Sequence, residues 1–349
     1  MTVTVTVTPR KGRPSATGKS HPAVGSRVGV PSGLKKGWSS REVTVLLTDL
    51  RGFSAIADSI SGRDMLAVLN RYLTKMCEIA IANGGSIDKF IGDAVMVLFG
   101  APHRLASHAR RAVTCALQMQ LAMDEINRDN EAMGLPHLYM GAGINTGRVL
   151  AGLLGSVQHY EYTVVGDEVN LASRIESLSL RGQVLISEAT FLRCKGFVTA
   201  RTPMDVYVKG KPKPVRVREV EGIPALGLSI PRRTLRRSPR VEVKIPFTCR
   251  MVVDKIVMPR IYKGLIHDIG YQGIRAEIKH ALKDDADIVL EFKLSLTHGH
   301  ERNIYGKVRH VHHKHGHRVA GIEFTSLSQR VEEDIRYYVQ LAIQGTARK

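Results

Sequence analysis

The spacing of apolar positions changes from segment to segment, and each change marks an element. Residues 43–47 form a short apolar run ending at Thr48-Asp49, which predicts a buried strand. From 54 to 82, Ile56, Met65, Leu66, Leu69, Tyr72, Leu73, Met76 and Ile79 recur at three- and four-residue steps. That spacing predicts one helix, stopped by Gly84-Gly85. Two strand-like runs, 86–91 and 94–99, flank the turn residues Gly92-Asp93. Residues 107–128 are helical again. Residues 139–145 and 148–154 read as a strand pair turning at Thr146-Gly147, 160–165 as a strand and 168–178 as a helix. Shorter pieces fill 183–220, with a hairpin around Lys209-Gly210-Lys211-Pro212. Strands and helices mix without strict alternation, so the fold class is α+β. Pro224, Gly227 and Pro231 then mark a linker over 222–235. Beyond it, short alternating runs at 241–245, 261–266, 273–278, 287–292, 305–311 and 319–324 predict a small β-barrel, closed by a helix over 328–343.

Composition supports two globular units. The 349 residues suggest about two domains. At 43% hydrophobic and 24% charged, the bulk of the chain is not disordered. No apolar run is long enough for a membrane helix, and the N-terminus has no secretory pattern. Cys77, Cys115, Cys194 and Cys249 are scattered without a C-x-x-C pair, as expected of reduced thiols in a cytoplasmic protein.

The net charge of +19 is local. Residues 1–37 and 209–260 hold seventeen of those charges. This argues for a flexible arm and a phosphate-seeking hinge, and against a whole-surface field for specific nucleic acid. Residues 1–38 read as a mostly disordered tail, although Thr2 to Thr8 alternate like a strand. The tail's charge would suit anionic lipid, but nothing else in the sequence supports that contact. Two motifs fail on spacing. Gly12 to Gly18-Lys19-Ser20 has one residue too many for a P-loop, and Gly141-Ala142-Gly143 to Gly147 lies inside a strand rather than before a helix.

Asp49 ends a buried strand and Asp93 sits in a hairpin turn, positions that a central sheet can place side by side. Paired carboxylates need a hard cation or a proton. The plain alternative is a cap and a turn aspartate. The surrounding residues narrow the choice. Thr48-Asp49-Leu50-Arg51-Gly52-Phe53-Ser54, Asp88-Lys89-Phe90-Ile91-Gly92-Asp93, Gly143-Ile144-Asn145-Thr146-Gly147 and the stretch from Tyr162 to Arg174 follow in that order. Over about residues 40–221 the chain resembles the catalytic domain of class III nucleotidyl cyclases. The resemblance implies a ferredoxin-like α+β fold, a head-to-tail homodimer, and conversion of a nucleoside triphosphate to its 3′,5′-cyclic monophosphate and pyrophosphate. It implies that Asp49, Asp93 and the Leu50 carbonyl hold two Mg²⁺ or Mn²⁺ ions. Asn170 and Arg174 would orient the ribose and stabilise the pentavalent phosphate, and Lys209 would meet the terminal phosphates. Lys89, Thr163 and Phe53 fall at substrate positions. The residues agree independently: Asn170 and Arg174 are i and i+4 on one helix, so an amide and a charged fork share one face.

The base is read, by the same resemblance, at Lys89 and Thr163. Lys only donates, which suits adenine N1. The Thr hydroxyl can accept from adenine N6, but it can also donate. A guanylate enzyme would place Glu at the Lys position. The expected substrate is therefore ATP, with GTP as the alternative. A further alternative is a cyclic di-GMP effector that uses the cyclase fold only to dimerise.

Residues 232–240 carry five arginines, Asp268-Ile269-Gly270-Tyr271-Gln272-Gly273 follows a strand, and Tyr305-Gly306-Lys307-Val308-Arg309 and Val319-Ala320-Gly321-Ile322-Glu323-Phe324 come later. Over about 232–343 these are similar to a PilZ domain, with the barrel unit taken as 236–343. The resemblance implies cyclic di-GMP as regulator, bound by Arg236, Arg237, Arg240, Asp268, Gly270 and Gly273. Gly270 stands where the family has Ser, a loss of one hydroxyl hydrogen bond worth roughly 0.5–1.5 kcal/mol. The histidines at 310, 312, 313, 315 and 317, with His298 and His300, have no carboxylate or cysteine at ligand spacing and read as an exposed turn.

Overall fold

The computed structural model describes residues 37–156, 159–231, 238–254, 256–278, 282–295, 300–314 and 317–345. The tail to residue 36, Arg236, Arg237 and His315 therefore lie outside the described residues.

The N-terminal unit runs β1 (Ser39–Leu50), α1 (Phe53–Ala57), α2 (Gly62–Ala82), β2 (Ser86–Ile91), β3 (Ala94–Phe99), α3 (His108–Ala132), β4 (Met140–Ser156), β5 (His159–Val165), α4 (Asp167–Leu178), β6 (Val184–Ser187) and α5 (Glu188–Cys194). The short β7 (Thr199–Ala200) and β8 (Met204–Val206), then β9 (Val215–Ile223) and β10 (Leu228–Ser229), complete it. Its main path is β10-β9-β6-β4-β1-β3-β2, with β5 on β4 and β7 and β8 on β9. The α+β class expected from the sequence is observed. β1 lies in the centre of the sheet, so both its faces are buried. Leu46 and Leu50 face the core under α2 and α3, while Val43, Val45 and Leu47 pack with Met96, Val149, Val164 and Ala172. That explains the apolar run at 43–47, interrupted only by the buried Thr44.

Three boundaries differ from expectation. The helix expected over 54–82 breaks before Gly62, because the Ser61 hydroxyl accepts from the Asp64 amide (3.1 Å) and starts α2 afresh. No turn falls at Thr146-Gly147: both residues pair with β1, and β4 runs straight through. The glycines of β4 have another use. A Cβ at Gly143 would lie 2.2 Å from the Glu176 amide nitrogen, and one at Gly147 2.6 Å from Glu168 Cγ. Their absence lets α4 lie directly on the strand. Finally, residues 222–229, expected as linker, continue the sheet through β9, a 3₁₀ turn at Pro224–Leu226 and β10.

The C-terminal unit is a closed barrel of β11 (Arg240–Val253), β12 (Ile256–Gly270), β13 (Gly273–Ile278), β14 (Asp287–Lys293), β15 (His300–Lys314) and β16 (His317–Ser326), followed by α6 (Gln329–Ile343). All six expected strands and the closing helix are present. Ile335, Tyr338, Val339 and Ala342 of α6 join the barrel core with Ile266, Ile274, Leu290 and Phe292. No helix among the described residues is long and apolar enough to cross a membrane.

Candidate active site

Antiparallel pairing of β1 with β3 carries the end of β1 beside the β2–β3 turn. This joins Asp49 and Asp93, which are distant in sequence. The Leu50 amide donates to Asp93 Oδ2 (3.1 Å) and fixes the turn carboxylate against the strand end. Burial raises the Asp49 carboxyl, and the neighbouring Glu176 and Asp93 charges raise it further, to about 7. Arg51 opposes the rise from 3.3 Å. Its guanidinium also pairs with Glu176 and donates to Ser179 Oγ (2.7 Å). Negative charge is thus crowded and only partly compensated. Two carboxylates brought together are hard oxygen donors of the kind that suits a divalent ion. Among the described residues no group of three or more His, Cys, Asp or Glu side chains is arranged as a metal cage.

A second group lies on α4 and the loop after β8. Arg174 and the buried Glu176 are two positions apart, about 200° around the helix. Glu176 therefore turns inward, while Asn170 and Ser173 are exposed and Arg174 is half-buried. The Arg174 guanidinium lies beside Gly210, whose left-handed φ of 77° bends the loop carrying the exposed Lys209. Asn170, Arg174 and Lys209 line one cavity of about 1740 Å³, whose other walls include Arg240, His267 and Arg275 of the barrel. No hydrogen bond or ion pair among the described residues joins this group to Asp49 or Asp93. Phe53 packs against the main core.

Lys89 and Thr163, the two positions expected to read a base, meet at a third residue. Thr163 Oγ1 donates to Asp88 Oδ2 (3.1 Å), and Lys89 Nζ lies 3.5 Å from that carboxylate and 3.4 Å from Glu161. The Asp88 side chain is fully buried, and its Oδ1 has no protein partner. Burial raises its carboxyl, while Thr163 and Lys89 pull it back.

A profile of the Adenylate and Guanylate cyclase catalytic domain matches residues 37–219, just over half of the chain. The chain belongs to this family. The PilZ domain profile matches residues 234–341. Adenylate cyclase 1 of Rhizobium meliloti (strain 1021) is 33% identical over 201 residues, 56% of this chain and 30% of that protein. The adenylate cyclase of Anabaena cylindrica is 34% identical over 192 residues, 52% of this chain and 37% of that protein. The segment shared with these curated relatives is therefore about a third of their length. Among solved structures, the guanylyl cyclase Cya2 aligns at 40% identity and a TM-score of 0.55, covering 56% of this chain and all of that one. The adenylyl cyclase CyaB from P. aeruginosa aligns at 36% and 0.52, covering 53% of this chain and 95% of that one.

Beyond the cyclase domain, Asp268 of the PilZ barrel is held between Arg240 (2.7 Å) and Arg275 (2.6 Å). Gly273 pairs with Gly270 across the β12–β13 turn. A Cβ at Gly270 would lie 2.7 Å from Arg240 Cγ, so Arg240 crosses the space that a Ser side chain would fill. The described histidines His310 and His312 are exposed, with ring centroids 6.1 Å apart, and make no metal cluster.

Arg51, Asp88 and Glu176 were not among the site residues expected from the sequence. Asp88 left a weak signal, a carboxylate next to Lys89 inside an apolar strand. Arg51 and Glu176 left none, because they meet across 125 positions.

Proposed function

We propose that the chain is an adenylate cyclase, a phosphorus–oxygen lyase that converts ATP to 3′,5′-cyclic AMP and pyrophosphate at a homodimer interface. In this reading the unit expected at 40–221, which the sheet extends through β10 to Ser229, is catalytic, the remainder of the expected linker to 235 connects the units, and 236–343 regulate. The 3′-oxygen of the ribose bonds to the α-phosphorus, the 3′ proton leaves, and the bond to the departing pyrophosphate breaks. Asn170 orients the ribose, Arg174 meets the charge on the pentavalent phosphate, and Lys209 holds the terminal phosphates. Two Mg²⁺ or Mn²⁺ ions bound by Asp49, Asp93 and the Leu50 carbonyl would neutralise the triphosphate and acidify the 3′-hydroxyl. The apolar side chains exposed on β2, β4 and β5, including Phe90, Ile91, Leu150, Leu154 and Val165, are a suitable surface for a second copy.

The single observation that carries ATP over GTP is the Thr163–Asp88 hydrogen bond. A hydroxyl has one proton. Thr163 gives its proton to Asp88, so the oxygen is left as an acceptor toward the base. Adenine N6 donates, whereas guanine O6 only accepts. Lys89 supplies the donor for adenine N1. The similarity to Cya2 makes GTP the competitor to test. Full-length protein with Mn²⁺ is expected to make cyclic AMP from ATP in preference to cyclic GMP from GTP. Asp88→Asn, whose amide can donate to Thr163 and free the hydroxyl proton, is expected to narrow that preference by roughly tenfold, one hydrogen-bond mismatch. Wild-type preference for GTP would reject the adenylate assignment.

Cyclic di-GMP is the proposed regulator. Its phosphates would take Arg240 from Asp268, and Arg236 and Arg237 are the further arginines proposed for the same ligand. The Arg236→Ala/Arg240→Ala protein is expected to lose any change in turnover caused by cyclic di-GMP. A response equal to that of the wild type would remove these arginines from the ligand site.

A further inference from the structure

The last helix belongs to the barrel by its core and to the cyclase domain by its end. Ile343 packs both on the barrel core and on a small cluster of Leu171, Ile175, Leu178, Val206, Val208 and Val217, which lies beneath α4 and the Lys209 loop. Two glutamines four residues apart, Gln340 on α6 and Gln344 at its C-cap, bind that loop's backbone. Gln340 is 2% exposed, and its Oε1 accepts from the Tyr207 amide (2.6 Å). Gln344 Oε1 accepts from the Lys209 amide (2.8 Å), and its Nε2 donates to the Tyr207 carbonyl (3.0 Å). Tyr337 adds an edge-to-face contact with the Tyr207 ring, centroids 5.1 Å apart. Helix and loop are more than 130 residues apart in sequence, yet every polar atom of both glutamine side chains is used.

The remaining bond points back into the barrel. Gln340 Nε2 donates to the Tyr271 hydroxyl (2.8 Å). Tyr271 lies in the turn between Asp268 and Gly273, and its amide donates to Ser238 Oγ (3.3 Å), at the end of the arginine segment. A continuous set of hydrogen bonds therefore runs from that segment, through Tyr271 and Gln340, to the backbone beside Lys209.

We propose that α6 is a splint that positions the Lys209 loop for phosphate contact, with Gln344 and Gln340 as positioning residues and Tyr271 as the tie to the barrel turn. The catalytic part of this proposal rests on the role assigned above to Lys209. A lysine on a long stem can reach many places; fixing its own amide and that of Tyr207 limits where the ammonium can go. A shift of the 268–273 turn would be felt at Lys209 through two side chains, without any change in the carboxylate pair.

The test uses the full chain with Gln344→Ala, Gln340→Ala and Tyr271→Phe, and Gln329→Ala at the exposed start of α6 as control. Hydrogen–deuterium exchange is read over residues 204–212, and kcat and KM are measured with ATP and Mn²⁺. Faster exchange at Tyr207 and Lys209 is expected in all three variants and not in the control. Gln344→Ala is expected to lower kcat/KM roughly fivefold, the rate equivalent of one neutral hydrogen bond. In a Lys209→Ala background, Gln344→Ala should lower it no further, because a positioning residue loses its effect when the positioned group is absent. Unchanged exchange in Gln344→Ala would overturn the splint. A full fivefold loss in the Lys209→Ala background would show that α6 acts by general stability and overturn the positioning role. If wild-type protein turns over neither ATP nor GTP, the role of Lys209 fails, and exchange alone still decides whether α6 holds the loop.

Discussion

Asp49→Asn is expected to lower turnover by about 10³-fold while making the metal-free protein more stable, a combination that separates a functional carboxylate from a structural one. The loss follows from the proposed donor set, in which an amide oxygen is a poor replacement for a carboxylate facing a divalent ion and a triphosphate. The gain follows from the geometry. Burial and the charges of Glu176 and Asp93 move the Asp49 carboxyl from the ordinary 3.8 to about 7. A carboxyl raised by folding binds its proton more tightly in the folded state than in the unfolded one. The contribution of Asp49 to stability in a chelator is therefore fully present at low pH and is lost as pH rises from 3.8 to about 7. The asparagine variant lacks this decline. Arg51 keeps its bonds to Glu176 and Ser179 when Asp49 is neutral. Thermal unfolding at several pH values in EDTA checks the prediction. The variant should melt above wild type at pH 8, and the gap should close toward pH 4, near the ordinary carboxylate value. Added Mn²⁺ should raise the wild-type midpoint and leave the variant unmoved. A variant that melts below wild type at pH 8 would mean that the carboxylate holds the fold together and the crowding argument is wrong.

What was legible in the sequence was local. The Gly92-Asp93 turn between two apolar runs, the i, i+4 pair of Asn170 and Arg174, and six alternating strands beyond 240 each carry their signal within a few residues. The misread turn at Thr146-Gly147 shows where local reasoning stops. Gly147 looks like a turn residue, but it is glycine because Glu168 of α4 occupies the space of its side chain. Likewise, the glycines rejected as a dinucleotide fingerprint have a packing task, seating the helix that carries Asn170 and Arg174. Ser61 lies in the gap between Ile56 and Met65, where the apolar period gives no signal, and its bond to Asp64 shows that one helix ends and another begins. Arg51 with Glu176, and Gln344 with Lys209, are pairs made by chain topology alone. No periodicity can announce a contact between residues 125 or 135 positions apart.

Mixing two inactive chains is expected to restore activity. Within one protomer the Asp49–Asp93 pair and the Asn170, Arg174, Lys209 group are not joined by any hydrogen bond or ion pair among the described residues. Asn170 and Arg174 also turn away from the side of α4 on which Glu176 meets Arg51. A site that needs both groups would then take one from each subunit of the proposed dimer. Arg174→Ala alone should lose about 10²–10³-fold in turnover, the usual effect of removing a charged donor aimed at developing transition-state charge. Co-expressed with the Asp49→Asn chain, it forms mixed dimers in which one site has both lesions and the other has neither. Random pairing makes half of the dimers mixed, each with one intact site of two, so about a quarter of wild-type activity should return. Two controls make the result decisive. A chain carrying both substitutions, mixed with the Arg174→Ala chain, has no intact site in any pairing and should stay inactive. Replacing exposed Leu154 and Phe90 by Glu should remove the rescue together with the dimer, read by analytical ultracentrifugation, because these side chains are 50% and 48% exposed on the isolated protomer. Failure of the mixed dimers to regain activity would mean that both groups serve a site within one chain, and it would overturn the shared-interface reading.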